Sequence, residues 1–109
     1  MVHGIHKLYW SKVQGKVYGF LDTAKIIIEL LDEGLGKYGN NNRYRFTLNE
    51  IMRRLEKSQI KFSRRNASRV ANALLTENSF DYYSNPANGR TVYEIVLDRE
   101  KIEELERML

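Results

Sequence analysis

The segment FSRRNASRVANALL, residues 62–75, places two arginines at the start of a predicted helix. Ser63 has the side chain of an N-cap residue, and Arg64 and Arg65 follow it in the first turn. The helix dipole is positive at this end, so an acidic residue would be the favourable choice there. Arginine forms two parallel hydrogen bonds with a phosphate or a guanine edge. Two arginines at this end of the helix therefore become favourable where the end contacts such a partner. The segment therefore predicts an anion-binding site.

The helix predicted over residues 63–78 has an apolar face and a polar face. At about 100° per residue, five small or aliphatic side chains fall on the apolar side: Ala67, Val70, Ala71, Leu74 and Leu75. The polar side carries Arg65, Arg69, Asn72 and Thr76, with Ser68 on its flank. Arginine reads guanine, asparagine reads adenine, and hydroxyl groups bind bases or phosphates. This face therefore predicts contact with double-stranded DNA, and an ordinary solvated face is the alternative.

Basic residues are concentrated in the middle of the chain. Residues 43–69 contain nine Lys or Arg and two Glu, a local net charge of +7, whereas residues 94–109 have a local net charge of −3. A block of positive charge attracts a polyanion, and nucleic acid is the commonest polyanion inside a cell. Four cations of this block, apart from those in the helix at 63–78, are predicted to contact DNA: Arg53, Arg54, Lys57 and Lys61. Arg64 fits either a phosphate contact or an ion pair with Glu56.

Caps and periodicity predict the elements that must position these side chains. Asp22 and Gly34 are the predicted N-cap and stop of a first helix, which has apolar residues on two sides. Thr47 and Glu50 form a capping-box pattern at the start of a second helix. Short strands are predicted at RYRF, FDYY and TVYEIVL, with a hairpin loop at SNPANGR. Asp98 is the predicted cap of a terminal helix.

This order of elements resembles a winged helix-turn-helix domain over residues 22–97. TLNEIMRRLEKSQIKFSRRNASRVANALLTEN is similar to the helix-turn-helix unit, RYRF to the first strand, and FDYYSNPANGRTVYEIVL to the hairpin wing. The resemblance implies a mostly helical α+β fold with a three-helix core, a recognition helix at residues 63–78 in the major groove and a wing at residues 84–91 near the minor groove. Asn88 and Arg90 are the wing residues that would touch DNA, although Arg90 equally fits a plain turn. In its size and in its content of tyrosine, isoleucine and arginine, the chain is similar to small transcriptional regulators of archaea and their viruses.

Residues 1–21 and residues 98–109 extend beyond this pattern. The first segment fits either two strands joined by a turn or a helix that begins early, and we expect an arm that packs on the body. Because one such domain reads few base pairs, and because the apolar side chains exceed the need of one small core, we expect a homodimer about a two-fold axis. Its interface is predicted to include the arm, the first helix and the last helix: Tyr9, Trp10, Phe20, Ile26, Leu30, Ile102, Leu105 and Leu109.

Other kinds of chemistry find little support in the sequence. There is no cysteine, and His3 and His6 lack a third ligand, so we expect no metal or other cofactor. No nucleophile elbow, Gly-rich phosphate loop or carboxylate cluster is present, so we expect neither an enzyme nor a small-molecule ligand. No apolar run approaches the roughly 18 residues of a membrane span, and MVHGIHKLYW lacks a signal-peptide pattern, which favours a cytoplasmic protein.

Two classes of function fit these features. The first is a double-stranded DNA-binding transcriptional regulator, and the second is a protein-interaction adaptor within a larger assembly, because one fold can serve both roles. The basic outward face over residues 53–72 favours DNA, since an adaptor would more often expose apolar residues there.

Overall fold

The computed structural model describes residues 18–86 and 90–108 of the chain. These residues form a mostly helical α+β structure, which confirms the expected fold class at this level. The elements in chain order are α1 (Tyr18–Tyr38), β1 (Arg43–Thr47), α2 (Leu48–Lys57), α3 (Arg64–Glu77), β2 (Tyr82–Asn85), β3 (Val92–Val96) and α4 (Arg99–Met108).

The three strands form one antiparallel sheet in the order β1-β3-β2. Tyr44 of β1 and Tyr82 of β2 both lie opposite Ile95 of the central strand β3. Successive side chains of a strand point to opposite faces. The row of Ile95 therefore faces the helices, and the next row, which contains Glu94, lies on the other face of the sheet.

Helix α1 lies at the centre of the packing and contacts α2, α3, α4 and β1. Its residues Ala24, Ile27 and Leu31 are completely buried. A helix surrounded on several sides needs apolar residues around most of its circumference. This explains why the sequence of α1 is apolar on two sides within a single chain.

The helices that carry the candidate site begin at the predicted caps. Thr47 is the N-cap of α2, and its Oγ1 accepts a hydrogen bond from the Glu50 backbone N–H at 3.1 Å. The Glu50 carboxylate binds two arginines of its own helix, so its side chain does not complete the capping box. Ser63 is the N-cap of α3, and its Oγ accepts a hydrogen bond from the Asn66 backbone N–H at 3.0 Å. Each cap satisfies a backbone donor that the helix leaves free.

Helix α1 extends beyond both of its predicted ends. Asp22 is not its N-cap, because residues 18–21 of the predicted arm already belong to α1, as the early-starting alternative requires. Gly34 is not its stop, because α1 continues to Tyr38. A Cβ atom at Gly34 would lie 2.6 Å from Cδ2 of Tyr44, so this glycine makes room for an aromatic ring. The chain leaves the helix at Gly39, whose φ of +90° favours glycine.

Five predicted dimer residues lie in the core of the single chain. They are between 0% and 7% exposed: Phe20, Ile26, Leu30, Ile102 and Leu105. A side chain that its own chain covers is not available to a partner, which corrects both their assignment to an interface and the supposed surplus of apolar residues. Tyr9, Trp10 and Leu109 lie outside the described residues.

Helix α4 begins at the cap that the sequence predicts. Asp98 Oδ1 accepts a hydrogen bond from the Lys101 backbone N–H at 3.1 Å, and α4 packs on α1. Among the helices that the structure describes, none is long and apolar enough to cross a membrane.

Candidate nucleic-acid interface

Two arginines, one helical turn apart, occupy the exposed N-terminal half of α3. Arg65 and Arg69 are exposed, and neither side chain has an ion pair or a hydrogen bond with any residue that the structure describes. Behind them, Ala67, Val70 and Ala71 are at most 1% exposed and fix the helix on the core. Each guanidinium group thus keeps its charge and its five N–H donors for a partner. We refer to Arg65 and Arg69 as the arginine pair.

Hydrogen bonds to the sheet follow the same side of α3 from Ser68 to Thr76. The Tyr82 hydroxyl lies 2.7 Å from Thr76 Oγ1 and donates to Asn72 Oδ1 at 3.1 Å. Asn72 Nδ2 donates to the Ser68 backbone carbonyl at 3.0 Å, and Ser68 Oγ lies 3.1 Å from the Tyr93 hydroxyl. Thr76, Tyr82, Asn72, Ser68 and Tyr93 therefore form one continuous chain of hydrogen bonds, which we call the polar ladder.

The polar ladder corrects two predicted DNA contacts, Asn72 and Ser68. A contact between Asn72 and adenine needs the amide oxygen and nitrogen together, but both are bound within the protein. Ser68 is half-buried under the sheet side of α3. Its partner Tyr93 is completely buried, and burial raises the pKa of the Tyr93 hydroxyl, which stays protonated at neutral pH.

The start of α3 is joined to the start of α2. Arg64 Nη1 donates a hydrogen bond to Asn49 Oδ1 at 2.6 Å, a partner that the sequence did not suggest. The Arg64 side chain is exposed, so its other donors face the solvent. Ser63, which is also exposed, uses its oxygen as the cap acceptor, and its hydroxyl hydrogen can still donate to an anion.

Three further cations are exposed on α2 and on the turn that follows it. Arg53 binds the Glu50 carboxylate, and Arg53 is so exposed that this pair contributes little to stability. Lys57 and Lys61 have no ion pair with any described residue. These three side chains add positive charge beside α3 without contributing to the core.

Arg54 is bound to carboxylates, which corrects its assignment to DNA. Its Nη1 and Nη2 each donate to a Glu33 oxygen at 2.9 Å, and its Nε donates to Glu50 Oε2 at 3.0 Å. Glu29 Oε1 also lies 3.8 Å from Nη1 of Arg54. The hydrogen bonds from Arg54 hold the pKa of Glu33 below its ordinary value, and the pKa of Arg54 is raised in turn. Arg54 thus ties α2 to α1, while Arg53 points about 100° away from it around the helix.

Two other cations of the basic segment share one carboxylate on the sheet, which offsets one of their two charges. Arg43 Nη1 and Arg45 Nη2 bind the two oxygens of Glu94 at 3.0 and 2.9 Å. These arginines hold the pKa of Glu94 below its ordinary value, with the hydrogen bond from Arg45 as the largest cause. The charge that is free to attract an anion is therefore smaller than the local sequence count suggests.

Strands β2 and β3 form the hairpin that the sequence predicts as a wing. Strand β2 ends at Asn85 and β3 begins at Val92, and Arg90 in the connection is exposed. Asn88 lies outside the described residues. Because Tyr82 of β2 binds α3, the strands of this hairpin have a fixed position relative to the arginine pair.

Sequence reasoning missed the two tyrosines of the polar ladder. Ser68, Asn72 and Thr76 are spaced four residues apart, so they form a polar stripe along the border of the apolar face. Side chains alternate between the two faces of a strand, so Tyr82 and Tyr83 of FDYY are predicted on opposite faces. These two signals identify polar positions that border the core, but neither one identifies the partner.

Anion binding is the chemistry that this arrangement supports best. In residues 18–86 and 90–108, no group of three or more His, Cys, Asp or Glu side chains could hold a metal ion. Comparison of the chain with protein-family models, with curated proteins and with solved structures found no match.

Proposed function

We propose that this chain is a winged helix-turn-helix protein that binds double-stranded DNA at specific sequences and regulates transcription. The arginine pair carries this proposal, because two guanidinium groups without a partner among the described residues project from the exposed side of a helix whose other side is fixed in the core. Arginine is the side chain that most often reads guanine in the major groove. The proposal includes no catalytic step, and it places the protein where DNA is, in the cytoplasm of a cell without a nucleus.

The order and pairing of the elements support this proposal. Helix α1, strand β1, helices α2 and α3, and the hairpin of β2 and β3 follow one another as in the winged helix-turn-helix pattern. Strand β1 pairs with β3 and not with its neighbour in sequence, so the sheet closes against the helices. A short connection at residues 58–63 joins α2 to α3, so the two helices follow each other directly as in a helix-turn-helix.

The exposed side chains of the candidate interface have three roles in the proposed complex. Arg65 and Arg69 contact base edges from α3, which gives sequence preference. A second group contacts phosphates and fixes the orientation without reading sequence: Arg53, Lys57, Lys61, Ser63 and Arg64. Arg90 of the hairpin contacts the adjacent backbone or minor groove.

The salt dependence of binding to random duplex DNA tests the proposal. A protein that neutralises even two phosphates loses about tenfold in affinity between about 50 and 200 mM salt, because counterions are released on binding. We expect at least this loss, measured by fluorescence anisotropy with a labelled duplex. No binding to DNA at the lower salt concentration would contradict the proposal and favour the alternative, an adaptor that binds another protein.

We further propose that two copies act together on DNA. One α3 helix reads only a few base pairs, and paired copies address half-sites about 34 Å apart, one turn of DNA. We expect sedimentation equilibrium at micromolar concentration to give twice the chain mass of 12.9 kDa. A mass that stays at 12.9 kDa in free solution, together with only one chain bound per duplex that carries two half-sites, would leave a monomer as the binding species.

A further inference from the structure

The polar ladder joins three turns of α3 to both strands of the hairpin. Tyr82 belongs to β2 and Tyr93 to β3, while their partners Thr76, Asn72 and Ser68 follow one side of α3 at four-residue intervals. The Tyr82 hydroxyl makes three contacts, because it also lies 3.3 Å from the Asn72 backbone carbonyl. Through this hydroxyl, the outer strand of the hairpin is bound to the helix.

The ladder lies between the two parts of the proposed interface. The arginine pair occupies the N-terminal half of the exposed side of α3, and Tyr82 covers the C-terminal half. Strand β2 leads from Tyr82 to Asn85 and then to the connection that contains Arg90. Any rotation of the hairpin away from α3 must therefore break the contacts of Tyr82.

The apolar packing alone does not hold β2 in this place. Among the described strands, β2 is at the edge of the sheet and pairs only with β3, and its residues Tyr83, Ser84 and Asn85 are exposed. Tyr82 is the residue of β2 that packs against the core. The hydroxyl of Tyr82 therefore supplies a directional contact at a strand that has little apolar contact of its own.

We propose that Tyr82 is a positioning residue, which holds the hairpin at a fixed angle to α3 so that Arg90 and the arginine pair reach the same DNA together. This inference rests on the proposed function. In this arrangement the Asn72 amide orients Tyr82 and does not contact a base. DNA binding by Arg90 is then coupled through the protein to DNA binding by the arginine pair. This coupling depends on the Tyr82 hydroxyl.

The substitution Tyr82→Phe tests the inference, because it removes the hydroxyl and keeps the ring. Tyr83→Phe is the matched control, since the neighbouring ring is 54% exposed on the other face of the sheet. Affinity is measured for a duplex selected from a random pool and for random duplex, in the parent, in each variant, and in each variant combined with Arg90→Ala. Thr76→Val is a second variant, which removes a hydroxyl partner of Tyr82 from an exposed position of α3.

For Tyr82→Phe we expect about a fivefold loss of affinity for the selected duplex, the usual effect of one hydrogen bond, and an unchanged affinity for random duplex. Arg90→Ala should weaken the parent and the Tyr83→Phe control by the same factor, and should have a smaller effect in Tyr82→Phe. Thr76→Val should reproduce this loss of coupling. Thermal unfolding of each variant shows whether the chain still folds.

Two results would overturn the inference in different ways. If the parent binds DNA and Arg90→Ala has the same effect with and without the Tyr82 hydroxyl, the ladder does not couple the two contacts and only this inference fails. If Tyr82→Phe does not fold, the same comparison in Thr76→Val decides. If the parent shows no salt-dependent binding to any duplex, the proposed function fails, and the inference fails with it.

Discussion

The double variant Arg65→Ala with Arg69→Ala is expected to lose at least about thirtyfold in affinity for a selected duplex, because each bidentate contact with a base contributes about 1–3 kcal/mol. Its stability should not change, since both side chains are exposed and neither has a partner among the described residues. Affinity for random duplex should fall much less. Titration of both duplexes at one salt concentration gives the affinity for the selected duplex and the affinity for random duplex. Thermal unfolding gives the stability.

A control with the same change of charge separates base contact from general attraction. Arg99→Ala with Arg107→Ala removes two exposed arginines from α4, outside the candidate interface. We expect this variant to keep its preference for the selected duplex and to lose only a little affinity for both. If the two double variants lose affinity equally, α3 does not read sequence, and the arginine pair contributes only its charge.

The starts of the two site helices were predictable because the signals for them are local. A cap needs one side-chain oxygen three residues before a free backbone N–H, so Thr47 and Ser63 could be recognised from the sequence around them. The apolar face of α3 follows equally from spacing, and every residue predicted on it is buried. These features depend on residues within one or two turns of each other.

The partners of the cations were not predictable in this way. Arg54 finds Glu33 twenty-one positions away, and Arg45 finds Glu94 forty-nine positions away. Helical periodicity gives the direction of a side chain but not the element that lies in that direction. Long-range packing therefore decides which arginines of the basic segment are free.

Gly34 illustrates the same limit for the backbone. A glycine after an apolar run commonly ends a helix, and the sequence around Gly34 fits that rule. In the structure the helix continues, and the Tyr44 ring packs against Gly34. The centroid of the Tyr44 ring lies 5.7 Å from that of Tyr38 and 6.2 Å from that of Phe46. The Tyr44 side chain is half-buried, and burial raises the pKa of its hydroxyl. The need for this glycine comes from strand β1, not from the helix that contains it.

Gly34→Ala is therefore expected to destabilise the chain, although alanine is the better helix former. The new Cβ would lie 2.6–2.8 Å from three atoms of the Tyr44 ring. Overpacking of this kind costs about 1–3 kcal/mol, and the gain in helix propensity offsets up to about 1 kcal/mol of it. Gly36→Ala, two residues later in the same helix, is the matched control, because a Cβ there meets nothing within 4 Å. We expect urea unfolding to place Gly34→Ala below the parent and Gly36→Ala at or above it, with about 2 kcal/mol between the two variants. Equal stabilities would mean that the Tyr44 ring moves aside freely, and that helix α1 is not held against β1 by this contact.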